Sequence, residues 1–224
     1  MNFKTLYNYF VSQPESQWIM KGDNAHALYN FIKRHPIKRI LDLGTGIGCS
    51  SAIMALALKE KGVDGHIDSL EQYDKCVALS NKIIPEELKK YITIHKAETE
   101  LWQPTEIPYQ AFINFKDVSW DYDFILNDGP APYLENDHFI DFPNGTVHKA
   151  HMEDKIKPGT LIAWDGRFKS LTLLERFWSD NFLLVEPEEN GQKFNVLERL
   201  NNPVQFKDLI KEDMIKMGYF KEDK

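Results

Sequence analysis

Three glycines at alternate positions, Gly44, Gly46 and Gly48, follow an apolar run that contains one acid, Ile40-Leu41-Asp42-Leu43. Glycine there lets the backbone turn tightly and lets a ligand approach with no Cβ in the way. The bland alternative is an ordinary tight turn between a strand and a helix. A second acidic position, Glu71 in Asp68-Ser69-Leu70-Glu71, lies 23 residues beyond Gly48. Nucleotide-binding α/β folds place an Asp or Glu about 20 residues past the glycine loop to hold ribose hydroxyls. A carboxylate suits that task because it accepts two hydrogen bonds at once, which matches a vicinal diol. Two further carboxylates each close or follow an apolar run: Asp128 in Asn127-Asp128-Gly129-Pro130, and Asp165 in Trp164-Asp165-Gly166-Arg167. The competing reading of Asp165 is a turn carboxylate paired with Arg167. Histidine titrates near working pH and is the usual general base. His138, His148 and His151 fall in or just after the Pro/Gly-containing stretch 129–147, and His148 is the catalytic candidate. His26, His35, His66 and His95 read as structural.

The elements that must position these residues follow from periodicity. The first 35 residues read as helical, interrupted at Pro14, with a second helix capped at Asp23 and stopped at Pro36. Short β-branched runs then alternate with amphipathic ones. Strands are expected at 37–43, 65–70, 91–95, 122–127 and 160–164, with two closing strands at 181–186 and 193–200. Helices are expected at 50–61, 74–84, 169–178 and 204–217. Such alternation implies crossover units and a mainly parallel sheet covered on both faces. Ligands bind outside the carboxyl ends of such strands, which is where the acidic and glycine positions fall. Residues 102–120 read as an inserted hairpin, and 129–147 as a long loop of the kind that is often functional.

Bulk properties narrow the partners. A chain of 224 residues with 42% hydrophobic residues supports one sizeable domain. It divides into N-terminal helices forming a lid (1–35), an α/β core (36–200) and a C-terminal helix (201–224). With 27 basic against 34 acidic residues the net charge is −7, which disfavours a nucleic-acid backbone as partner. Cys49 and Cys76 sit in no CxxC or Cys/His cluster, so neither a disulfide framework nor a structural zinc site is expected. No stretch reaches the length of a membrane span and no signal peptide is read at the start. A cytosolic protein acting on a small molecule is the expectation.

Over residues 37–200 the chain resembles the class I S-adenosylmethionine-dependent methyltransferases, on the LDLGTGIG run, Glu71 and the ends of the fourth and fifth strands. Asp-Gly-Pro after the fourth strand is similar to the small-molecule O-methyltransferase branch. Gly129 breaks the adjacent prolines that amino-group DNA methyltransferases need. The resemblance implies a Rossmann-like three-layer α/β/α sandwich, with a mainly parallel seven-stranded sheet and an antiparallel last strand. It implies that Asp42, Gly44, Thr45, Gly46 and Gly48 surround the methionine part of S-adenosylmethionine. Glu71 and its neighbour Gln72 would lie at the ribose, Ala97 and Glu98 near the adenine, and Asp128 beside the reactive methyl. Asp128 and Asp165 would orient the acceptor, with Trp18 and Tyr133 lining its site. In the metal-dependent branch an Asp after the fourth strand and an Asp-Asn after the fifth ligate magnesium. Gly166 replaces that Asn, so no metal is assigned. The function so implied is methyl transfer to a small-molecule hydroxyl. A methyltransferase-like binding module without activity, and an enzyme using another nucleoside ligand such as an aminopropyl transferase, stay open.

Overall fold

Alternation of side chains along each strand sets the two faces of the sheet. In β1 (Arg39–Leu43), Ile40 enters one apolar cluster while Leu41 and Leu43 enter the other. Phe124 and Leu126 of β6 (Phe124–Asn127) likewise face opposite to Ile125, and Ala163 of β9 (Leu161–Asp165) opposite to Ile162 and Trp164. This period of two is what a strand buried on both faces requires. The computed structural model describes residues 1–104, 108–114, 118–131, 133–135, 138–140, 143–186 and 194–204.

A seven-stranded sheet forms from β1, β6 and β9 with β2 (His66–Glu71), β3 (Ile92–Lys96), β10 (Phe182–Glu186) and β11 (Phe194–Arg199), in the order β10-β11-β9-β6-β1-β2-β3. Pairings are parallel except for β11, which inserts antiparallel between β9 and β10. The expected Rossmann-like sandwich with an antiparallel last strand is therefore what the chain forms. Strand order reverses between β1 and β6, and in such sheets the crevice that takes a ligand lies outside the carboxyl ends at that point.

One helical layer holds α1 (Phe3–Val11), α2 (Gly22–Arg34), α3 (Cys49–Lys61), α4 (Asp74–Ile83) and the short α5 (Glu86–Lys89). Residues 49–58 of α3 are all buried, because α3 lies between the sheet and the two N-terminal helices. α2 presents Ala25, Leu28, Phe31 and Ile32 at helical spacing. At about 1.5–3 kcal/mol per large apolar side chain buried, these helices form an integral layer of the core. The opposite layer holds α6 (Thr146–Met152) and α7 (Phe168–Phe177). It also carries a hairpin of β4 (Glu98–Trp102) and β5 (Tyr109–Ile113), which supplies the insertion read at 102–120. Part of the 129–147 stretch pairs as β7 (Tyr133–Glu135) with β8 (His138–Ile140). Nearly all of the expected C-terminal helix lies outside the described residues.

Candidate active site

The glycine loop leaves β1 at Gly44 and enters α3 after Gly48. Gly44 has φ +110°, and a Cβ there would stand 2.7 Å from the backbone nitrogen of Gly129. The loops after β1 and β6 therefore touch backbone to backbone, and a side chain on either glycine would force them apart. Gly46 has φ +52°, and the nearest atom to a Cβ there is the Trp18 carbonyl oxygen at 3.6 Å. The loop is therefore less crowded at Gly46 than at Gly44. Glu71, buried at the end of β2, accepts a hydrogen bond from Gly46 N at 2.8 Å through Oε2 and from Tyr73 N at 2.8 Å through Oε1. One carboxylate so fixes the loop after β1 to the loop after β2. Burial raises its pKa, and the backbone N–H bonds pull it partly back.

Asp42, expected among the cofactor-binding residues, is held against the start of α3. It is fully buried, and its Oδ2 accepts from Ser50 at 2.8 Å and Ser51 at 2.5 Å. Through that oxygen it secures the first turn of α3, and so the loop's frame. Burial pushes its pKa up to about 6, moderated by the serine hydroxyls. Thr45 is also buried, its hydroxyl 2.6 Å from that of Ser69. Gln72 accepts from Ala131 N at 3.0 Å, tying the loop after β6 to the end of β2. Ala97 is buried, its N–H bonded to the Glu71 carbonyl at 2.9 Å. Glu98 stands exposed on β4, held by Asn114 at 2.6 Å.

Across the crevice, Asp128 and Asp165 end the neighbouring strands β6 and β9. Arg167 donates from Nε (2.8 Å) and Nη2 to the Asp128 carbonyl, with Nε also 3.5 Å from the Asp128 carboxylate. The Asp165–Arg167 pairing considered from the sequence gives way to this one. Asp165 instead accepts from Asn24 Nδ2 at 2.5 Å, a partner 141 residues away on α2. Burial raises the pKa of both carboxyls. For Asp128 the Arg167 charge opposes the rise and Asp165 adds to it, and for Asp165 the Asn24 bond opposes it. Tyr7 donates to the Met20 carbonyl at 3.2 Å and lies within electrostatic reach of Asp165. Asn24 and Tyr7 had no local motif to reveal them.

His148 is not placed to be a base. It is fully buried in the second layer, its ring 5.0 Å from that of Tyr109 and 5.4 Å from Trp178. Burial drives its pKa down to about 3, with His151 nearby adding to the effect. The helical pattern that put His148 and His151 on one face aimed them into the core. Trp18, 56% exposed, stands in the short 3-10 turn Ser16–Trp18 beside Gly46, its indole N–H donating to Glu15, which pairs with Lys75 of α4. The side chains of Tyr133 and His138 lie outside what the structure describes.

This arrangement has known counterparts. An SAM complex of the O-methyltransferase TomG from Streptomyces achromogenes, involved in tomaymycin synthesis, superposes with TM-score 0.56 at 12% identity, over 90% of this chain and 92% of that one. An SAH complex of a Bacillus cereus O-methyltransferase gives 0.54 at 13% identity, covering 89% and 90%. SAH-bound Podospora anserina methyltransferase PaMTH1 gives 0.55 at 10%, covering 89% and 88%. The chain has the fold of the class I S-adenosylmethionine-dependent methyltransferases. A family model described as protein-L-isoaspartate(D-aspartate) O-methyltransferase matches residues 7–115. Those residues run from α1 through the class I glycine loop and Glu71 to the β4–β5 hairpin, and end before Asp128. No curated protein matches the chain. Among the described residues no helix is long and apolar enough to cross a membrane.

Proposed function

We propose that this chain transfers the methyl group of S-adenosylmethionine to a hydroxyl of a small molecule by in-line displacement. The observation that carries the reading is Glu71, buried at the strand-order reversal, accepting the Gly46 N–H and so joining the glycine loop to the second strand. A nucleoside laid across that junction meets open backbone at Gly46 and a carboxylate with lone pairs left for a ribose diol. The SAM and SAH complexes of similar fold support the choice of nucleoside. The family match supports the cofactor half alone, because it stops short of the acceptor side.

A sulfonium methyl is already activated, so the protein has mainly to align the nucleophile and exclude water. Asp128 and Asp165 stand at the adjoining strand ends, where they orient the acceptor. The raised proton affinity of Asp128 suits it to take the acceptor's proton as the oxygen–methyl bond forms and the sulfur–methyl bond breaks. The hydroxyl as the methylated group is drawn from the O-methyltransferases of similar fold.

Calorimetric titration with S-adenosylmethionine and S-adenosylhomocysteine tests the reading. Wild type is expected to bind both, and Glu71→Ala to weaken both by at least ~30-fold, on the scale of a charge-assisted hydrogen bond pair. No binding by folded wild type would overturn it. Binding without turnover on any hydroxylated acceptor would leave a cofactor-binding module.

A further inference from the structure

We infer that Arg167 occupies the role that a divalent cation fills in the metal-dependent branch of this fold, so that transfer here is metal-independent and the acceptor oxygen is oriented by a guanidinium. This rests on the methyltransferase reading and concerns its acceptor side. The metal-dependent pattern needs Asp after one strand and Asp-Asn after the next. This chain offers Asp128, then Asp165 followed by Gly166, which has no side-chain donor. Steric room does not require the glycine, because a Cβ on Gly166 would meet nothing within 4 Å. The residues present do not fit a hard cation, which takes six or more oxygen ligands. One oxygen of Asp165 is engaged by Asn24, and Asp128 is clasped by Arg167 at both its carbonyl and its carboxylate. Among the described residues no set of three or more His, Cys, Asp or Glu is arranged to hold a metal.

The guanidinium supplies what the cation would. It stays charged at any working pH and presents five N–H donors in a rigid fork. Nε and Nη2 make the clasp on Asp128, and Nη1 takes part in neither bond, so we assign Nη1 to the acceptor oxygen. Arg167 is about a quarter exposed, as is the Asp128 side chain, so the clasp is reachable from the crevice. Two carboxylates against one guanidinium leave the site without positive excess. A neutral hydroxyl, gaining negative character as its proton leaves, matches such a site better than an acceptor that arrives as an anion.

Manganese binding followed by electron paramagnetic resonance tests the assignment without relying on turnover. Wild type is expected to show no specific Mn²⁺ site, and turnover with a hydroxylated acceptor is expected to be unchanged by a chelator. The double variant Gly166→Asn/Arg167→Ala restores the missing oxygen donor and removes the competing charge. Asparagine tolerates the left-handed backbone of Gly166, at φ +67°, so this variant is expected to fold and to bind Mn²⁺ at least ~10-fold more tightly than wild type. Arg167→Ala alone is expected to lower kcat/KM by ~100-fold while the Kd for S-adenosylhomocysteine stays within ~3-fold. A stoichiometric Mn²⁺ site in wild type that Asp128→Asn abolishes would overturn the proposal. So would loss of turnover on chelation restored by Mg²⁺, or a double variant that binds no more Mn²⁺ than wild type. Binding of S-adenosylhomocysteine is measured on the same samples: its failure would sink the methyltransferase reading, and the Mn²⁺ result still judges the arginine.

Discussion

The two walls of the crevice are built by different means. On the side proposed for the cofactor, backbone does most of the work: Gly44 lies against Gly129, Gly46 N–H bonds to Glu71, and Gln72 holds Ala131 N. The side chains that matter there, Asp42 and Glu71, fix loops in place. On the side proposed for the acceptor, side chains from distant segments meet: Asp128 with Arg167, and Asp165 with Asn24 of the second helix. A wall made from backbone tolerates little change and suits a ligand that never varies. A wall made from side chains can be rewritten one residue at a time, as the Gly166 and Arg167 positions illustrate.

The sharpest way to break this contrast is at Gly44. Gly44→Ala puts a Cβ against the Gly129 backbone at a φ that disfavours it, and is expected to cost ~3 kcal/mol or more of stability. Chemical denaturation measures the loss, and a fully stable variant would show that the loops do not need their close approach. Asn24→Ala removes a buried partner of Asp165 on the other wall. It is expected to lower kcat/KM by ~10-fold with cofactor affinity unchanged. Steady-state kinetics beside calorimetry separates the walls, and an equal loss in cofactor affinity would merge them.

The smallest effect belongs to His148, which sits on neither wall. Its pKa falls from an ordinary value near 6.5 when unfolded to about 3 when folded. The unfolded chain then binds more protons between those values, so the contribution of His148 to stability is complete above pH ~6.5 and is lost progressively as pH falls toward ~3. His148→Phe keeps the ring's volume and removes the titration. Denaturation midpoints measured across pH 4–7 are expected to fall less steeply with acid in the variant than in wild type, with turnover within ~2-fold at pH 7. A marked loss of turnover would return His148 to the active site.

Much of this molecule is legible without coordinates. The run Ile40–Gly48 places a strand, a tight turn and a helix start within nine residues, because each of those needs is met locally: alternating burial, freedom of φ, and a helix to follow. Glu71 was legible for the same reason, since its distance from the glycines is set by one crossover helix. The hairpin after β3 was readable from its prolines and apolar patch. The reading failed where local pattern and burial part company. Helical spacing correctly put His148 and His151 on one face and said nothing of which way that face looked. Nor did the motif of the first strand say that Asp42 would meet Ser50 and Ser51 at the start of α3.

The sequence by itself determined the sheet, its crossovers and the line of glycines and carboxylates at the strand ends, since these follow from periodicity and from backbone needs met within a few residues. The tertiary structure decided which groups those carboxylates face. Asn24 reaches Asp165 because α2 packs on α3 and against β11, and Arg167 turns to Asp128 because the parallel pairing of β6 with β9 brings their ends side by side. Contacts between residues 141 positions apart are set by the packing of whole elements, and no local pattern encodes them.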